Sequence, residues 1–119
     1  MTTTWQPACS VTRLAPDLGV CARVDGVPVA LFRTTDGSVY ALSNIDPFTG
    51  ASVLSRGIVG DHGGIPTVAS PLHKQRFDLR TGRCLDDDMV GVPTYEVRTQ
   101  RDQIEVRRSA TDGNGSATR

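Results

Sequence analysis

Most of this chain alternates in polarity with a period of two and is interrupted at short intervals by Gly, Pro, Asn or Asp. That rhythm predicts short antiparallel strands joined by tight turns. GVCARVDG (19–26) puts Val20, Ala22 and Val24 on one face and Cys21, Arg23 and Asp25 on the other. VPVALFRT (27–34) follows across a glycine-containing turn and completes a hairpin, with Pro28 pointing to an edge or a strand start. Asp36-Gly37 signals a second hairpin, resumed by VYALSN (39–44). IPTVASP (65–71) predicts another strand, and QRFDL (75–79) with RCLDD (83–87) a tight hairpin in which Gly82 can take positive φ. TYEVRTQ (94–100) and QIEVRRS (103–109) pair across Arg101-Asp102.

Residues 45–64 break the pattern, because Pro47 and several glycines leave the apolar positions too scattered for a helix. They predict a long loop with short extended pieces. Long ordered loops inside a small domain are commonly functional. The expected fold class is all-β: an antiparallel sandwich or small barrel of about 8–10 short strands. At 119 residues the chain suits one domain, expected over 1–109, with a disordered polar tail at 110–119.

Composition narrows the functions. Thirteen basic and thirteen acidic residues cancel, which argues against nucleic-acid binding and a polybasic membrane contact. The longest apolar runs fall far short of the roughly 20 residues that span a bilayer. The start, MTTTWQPACS, lacks the basic and apolar segments of a secretory signal, so a cytoplasmic protein is expected. Cys9, Cys21 and Cys84 form no CxxC pair and no zinc spacing, and are expected to be small buried hydrophobes.

Two loops carry the remaining signal. DPFTGA (46–51) and SPLHKQRFDLRTG (70–82) each begin with a polar residue followed by proline, and the second runs into a Phe-Asp-Leu-x-Thr-Gly hairpin. This arrangement resembles the Rieske family of [2Fe–2S] domains, over nearly the whole chain. There one loop reads Cys-x-His and the other Cys-x-x-His before the hairpin. Carried across, the four ligand positions fall on Asp46, Phe48, Ser70 and His73. A Rieske centre takes two thiolates on one iron and two imidazoles on the other. Phenylalanine has no lone pair to donate, and Asp and Ser offer hard oxygens that suit an iron–sulfide core poorly. Only His73 keeps its ligand type.

The cysteines lie outside both loops and do not replace the lost ligands. A mononuclear site from His62, His73 and Asp46 or Asp61 lacks a short spacing; a solvated His62 and a hydrogen-bonded His73 are expected instead. LDDD (85–88) lacks the alternating acids of a calcium loop and predicts a solvated turn.

Residues 55–88 are similar to the one branch of this family that lacks the ligands, the small subunits of NAD(P)H-dependent assimilatory nitrite reductases. The resemblance implies a chain with no catalytic residues, metal or cofactor of its own. Its implied partner is a large subunit carrying FAD, an iron–sulfur cluster and siroheme, which reduces nitrite to ammonium. The alternative is a Rieske-type [2Fe–2S] ferredoxin or oxygenase electron-transfer component. On the first reading the loops suit docking. Phe48 is then either an exposed anchor or a filler packed on Pro47, Pro71 and Leu72, and His73, Lys74 and Arg76 a basic contact. Asp46 and Ser70 are expected to brace the loops by hydrogen bonds to loop amides.

Overall fold

Val29, Ala30, Leu31 and Phe32, four consecutive residues of one strand, are all fully buried. A strand with one face in water would alternate, so this one is covered on both faces. The structure, a computed structural model that describes residues 4–109, shows why. Nine strands are present among these residues: β1 (Gln6–Ser10), β2 (Val20–Val24), β3 (Val27–Arg33), β4 (Val39–Ser43), β5 (Ile58–His62), β6 (Ile65–Ala69), β7 (Arg76–Asp78), β8 (Thr94–Gln100) and β9 (Gln103–Arg108). Six form an antiparallel sheet in the order β1-β9-β8-β4-β3-β2, and β5-β6-β7 form a second, smaller one. The all-β expectation is met, at the expected strand number.

The large sheet curls so that its two edge strands share a core. Cys9 of β1 lies in one cluster with Ala22 and Val24 of β2, Val29 and Leu31 of β3, and Ile104 and Val106 of β9. The other face of β3 and β4 supplies Ala30, Phe32 and Leu42 to a second cluster, with Val68, Phe77, Leu79 and Cys84 from the small sheet and its hairpin. β3 is therefore the wall between two cores. At about 1.5–3 kcal/mol per fully buried large apolar side chain, Val29, Leu31 and Phe32 make it a major stabilising element. Pro28 is tolerated at the second position of β3, where the expectation of a strand start holds.

Turn chemistry follows sequence at most corners. Asp25-Gly26 and Arg101-Asp102 each place two consecutive residues at positive φ, the twist a two-residue hairpin needs. One expectation is corrected. Residues 58–62 are not part of a loop but a full strand, paired from Ile58↔Ala69 to His62↔Ile65. Gly63 and Gly64, with φ of 60° and 91°, close that hairpin. Gly60 and an exposed Ile58 within the strand hid its alternation, and only Val59 packs inward. A second correction concerns the cysteines: Cys9 and Cys84 are buried, and burial pushes both thiols up, but Cys21 is exposed. The tail at 110–119 lies outside the described residues. Among those described, no helix is long and apolar enough to cross a membrane.

The hairpin after β7 is held by Gly82 and by Asp78. Gly82 sits at φ 81°, and a Cβ there would collide with the Val92 carbonyl. Burial raises the Asp78 pKa, but hydrogen bonds from the Arg80 side chain and backbone outweigh it and hold the carboxyl below its usual range. Replacing Gly82 with Ala should lower stability by at least ~2 kcal/mol in a urea titration, because strain and overlap act together. Gly60→Ala, where the new Cβ makes only ordinary contact at 3.5 Å, should stay within about 1 kcal/mol. The Asp78 contribution is present above the unfolded carboxylate pKa of about 3.9 and is lost as pH falls through the lower folded value. Arg80→Ala should therefore move the midpoint of acid unfolding, followed by circular dichroism, to higher pH.

Candidate functional site

The loops at 46–51 and 70–75 fold by one local plan. In the first, the Asp46 N–H donates to the Ala51 carbonyl at 2.8 Å, and the Gly50 N–H returns to the Asp46 carbonyl at 2.7 Å. In the second, the Ser70 N–H donates to the Gln75 carbonyl at 2.9 Å, and the Lys74 N–H returns to the Ser70 carbonyl at 3.0 Å. The side chain of each loop's first residue accepts from the amide two positions on: Asp46 Oδ1 from Phe48 at 2.8 Å, Ser70 Oγ from Leu72 at 3.3 Å. The fifth residue is left-handed in both, Gly50 at φ 80° and Lys74 at φ 64°. A polar first residue that turns back on its own loop and a proline that fixes the next φ are what this plan asks of sequence.

The first residues also meet. The Ser70 hydroxyl donates to Asp46 Oδ2 at 2.5 Å, and the two residues are 1% and 0% exposed. Asp46 and Ser70 brace the loop amides as expected, and beyond that they join one loop to the other. An unbroken path results: Phe48 amide, Asp46 carboxylate, Ser70 hydroxyl, Leu72 amide. A charge-assisted bond in a site closed to water is worth about 1.5–3 kcal/mol.

Behind the loops stands Asn44, a position that lies outside both loop motifs. It is 2% exposed. Its amide nitrogen donates to Ser52 Oγ at 2.8 Å, its side-chain oxygen accepts from the Ser55 amide at 2.6 Å, and its carbonyl accepts from Val53 and Leu54. Asn44 thereby turns the chain out of β4 and seats Leu54 in the second core. An Asn directly after a strand and before the loop that carries Pro47 was its only sequence signal.

The four former ligand positions can now be placed. Asp46 and Ser70 are buried against each other. Phe48 is 37% exposed and rests one side of its ring on Phe77, at a centroid distance of 6.3 Å. It is thus neither wholly an anchor nor a filler. His73 is exposed, and its ring makes no hydrogen bond among the described residues, so the expected structural bond is corrected. Lys74 is exposed beside it. Arg76 is held elsewhere: its Nε and Nη2 grip Asp86 at 3.3 and 2.9 Å, and its backbone amide donates to the same carboxylate. The hydrogen bonds from Arg76 hold the Asp86 carboxyl below its usual range. Arg76 Nη1 lies 3.1 Å from His62 Nδ1, and since a guanidinium only donates, that nitrogen is the acceptor. His62 is therefore a strand residue with a partner, not a free loop residue. Among the described residues no group of three or more His, Cys, Asp or Glu side chains is placed to hold a metal ion, and His62, His73, Asp46 and Asp61 are not brought together.

The donor set does not suit a [2Fe–2S] cluster. The two positions that would supply thiolates carry oxygens engaged with each other, one imidazole position carries an aromatic hydrocarbon, and the remaining imidazole turns to solvent.

Residues 4–107 match the Rieske-like [2Fe-2S] domain family. The chain is 45% identical over 104 residues, 87% of this chain and 96% of the other, to the nitrite reductase (NADH) small subunit of Salmonella typhimurium. It is 50% identical to a Mycobacterium tuberculosis protein of known crystal structure, provisionally identified as the NADH-dependent nitrite reductase small subunit. That likeness covers 93% of this chain and 100% of the other, with a TM-score of 0.86. A third match, 42% identical over 102 residues, takes in 86% of this chain but 11% of the Klebsiella oxytoca nitrite reductase [NAD(P)H] large subunit.

If the Asp46–Ser70 bond fastens the loops, Ser70→Ala should speed amide exchange at Phe48 and Leu72 by at least tenfold while leaving exchange in β3 unchanged. Hydrogen exchange followed by nuclear magnetic resonance reads both regions in one experiment.

Proposed function

This chain belongs to the Rieske-like [2Fe–2S] domain family, and we propose that within it the chain serves as the cluster-free small subunit of an NAD(P)H-dependent nitrite reductase. The observation that carries the reading is the direct Asp46–Ser70 hydrogen bond, which ties together the two positions a Rieske protein gives to cysteine. It sits in a chain that matches small subunits almost from end to end. A Rieske-type ferredoxin is the less supported alternative, since electron transfer through this domain would need four ligands and the loops present one imidazole.

The role that follows is association with a large subunit in the cytoplasm. In the K. oxytoca large subunit a domain of this kind is part of one polypeptide with the rest, so there the two are held together covalently. As separate chains they lose that high effective concentration, and an interface must replace it. On this reading FAD, the iron–sulfur cluster and siroheme belong to the large subunit, along with electron transfer from the nicotinamide and reduction of nitrite to ammonium. The small subunit supplies a rigid β-scaffold whose loops are ordered without metal.

The test uses this chain made in iron-replete cells, alone and together with a large subunit. Alone it should be colourless, carry substoichiometric iron and sulfide, and give no paramagnetic signal on reduction. Together the two should co-purify. A red-brown protein with two irons per chain, or no association with the large subunit, contradicts the proposal.

A further inference from the structure

The loop plan has a consequence for recognition. Each loop points its third side chain outward: Phe48 is 37% exposed and Leu72 46%. The Asp46–Ser70 bond sets both loops at the same end of the molecule, with the exposed Pro47 and Pro71 beside the two apolar side chains. Other exposed large hydrophobics, such as Leu18, Ile58 and Met89, come from separate elements and have no such matched partner. Single exposed apolar residues are ordinary on protein surfaces, whereas a pair held on a hydrogen-bonded frame is not.

The exposed charge on these two loop segments has one sign. Residues 47–50 and 71–74 contain no acid; Asp46 is buried, and Lys74, the only lysine of the chain, is exposed beside Leu72 and His73. Arg76, by contrast, is committed to Asp86 and His62.

We infer that Phe48 and Leu72 form a two-pronged apolar contact that enters a recess on the large subunit, with Lys74 meeting a carboxylate at its rim. This rests on the subunit reading above and refines it: the contact comprises Phe48, Leu72 and Lys74, and Arg76 is an internal tie. The buried hydrogen-bond path fixes the two prongs before binding, so little conformational freedom is lost when they dock. Aromatic side chains at the centre of a contact carry a large share of its energy.

The single lysine makes a direct test. The full chain is combined with the large subunit, and acylation of Lys74 by an amine-reactive reagent is compared in the free chain and in the complex. Lys74 should react at least tenfold more slowly in the complex. The double variant Phe48→Ala with Leu72→Ala should raise the dissociation constant roughly 30-fold or more, and Lys74→Glu should weaken binding more than Lys74→Gln. Ile58→Ala serves as the surface control and should bind as the parent does. Thermal unfolding of each variant shows that it is folded. Unchanged acylation of Lys74 in the complex, with the double variant bound within about twofold of the parent, overturns the inference and leaves the subunit reading standing. No complex with the parent chain overturns both.

Discussion

One buried hydrogen bond decides what this end of the molecule can be. Asp46 and Ser70 come from loops that leave different strands, β4 and β6, and are separated by 24 positions in the chain. Among the described residues no other side-chain hydrogen bond joins the two loops. In a Rieske domain the metal cluster links these positions; here an O–H···O contact does so. A carboxylate shut away from water needs such donors, and Asp46 has the Ser70 hydroxyl and the Phe48 amide. The pair is thus both the cause of loop order and a requirement of burying the acid.

The frame beneath makes that contact possible. β3, buried on both faces, fuses the curled six-stranded sheet to the small sheet, so the strands that feed the loops are fixed relative to each other. Asn44 then bends the chain out of β4, and Gly82 shapes the hairpin after β7. Phe77 spans both levels: it is fully buried in the second core and offers its ring to Phe48 at the surface. Packing energy is in this way converted into the placement of the exposed loop residues. The same frame ties Arg76 to Asp86 and His62, so its guanidinium is engaged while Lys74 and His73 stay exposed on the loop.

Much of this was legible in sequence, for identifiable reasons. Alternation at 20–24, 94–100 and 103–108 marks strands with one face in water, and paired turn residues mark their hairpins. The strand at 58–62 was missed because Gly60 removes a side chain, Ile58 faces solvent, and the glycines around it mimic a loop. In the loops, the loss of ligands could be read once the family resemblance had placed Phe48 at a ligand position, since phenylalanine has no lone pair to give iron. The Asp46–Ser70 contact could not, because it depends on how two loops far apart in the chain approach each other. The commitment of Arg76 was hidden for the same reason: its partner Asp86 lies across the hairpin, and a basic run in sequence says nothing about which cations are already paired. His73 was expected to be hydrogen-bonded as the alternative to a metal ligand, yet backbone bonds and Ser70 supply the order of its loop without it.

The central claim is that the Asp46–Ser70 interaction itself, and not merely the presence of each residue, holds the loops. A double-mutant cycle isolates that quantity: urea unfolding free energies of the parent, Asp46→Ala, Ser70→Ala and the double variant. The account predicts a coupling energy of about 1.5 kcal/mol or more, with the double variant much less destabilised than the sum of the singles. Effects that add to within about 0.5 kcal/mol would mean that the two side chains act independently, and would contradict it.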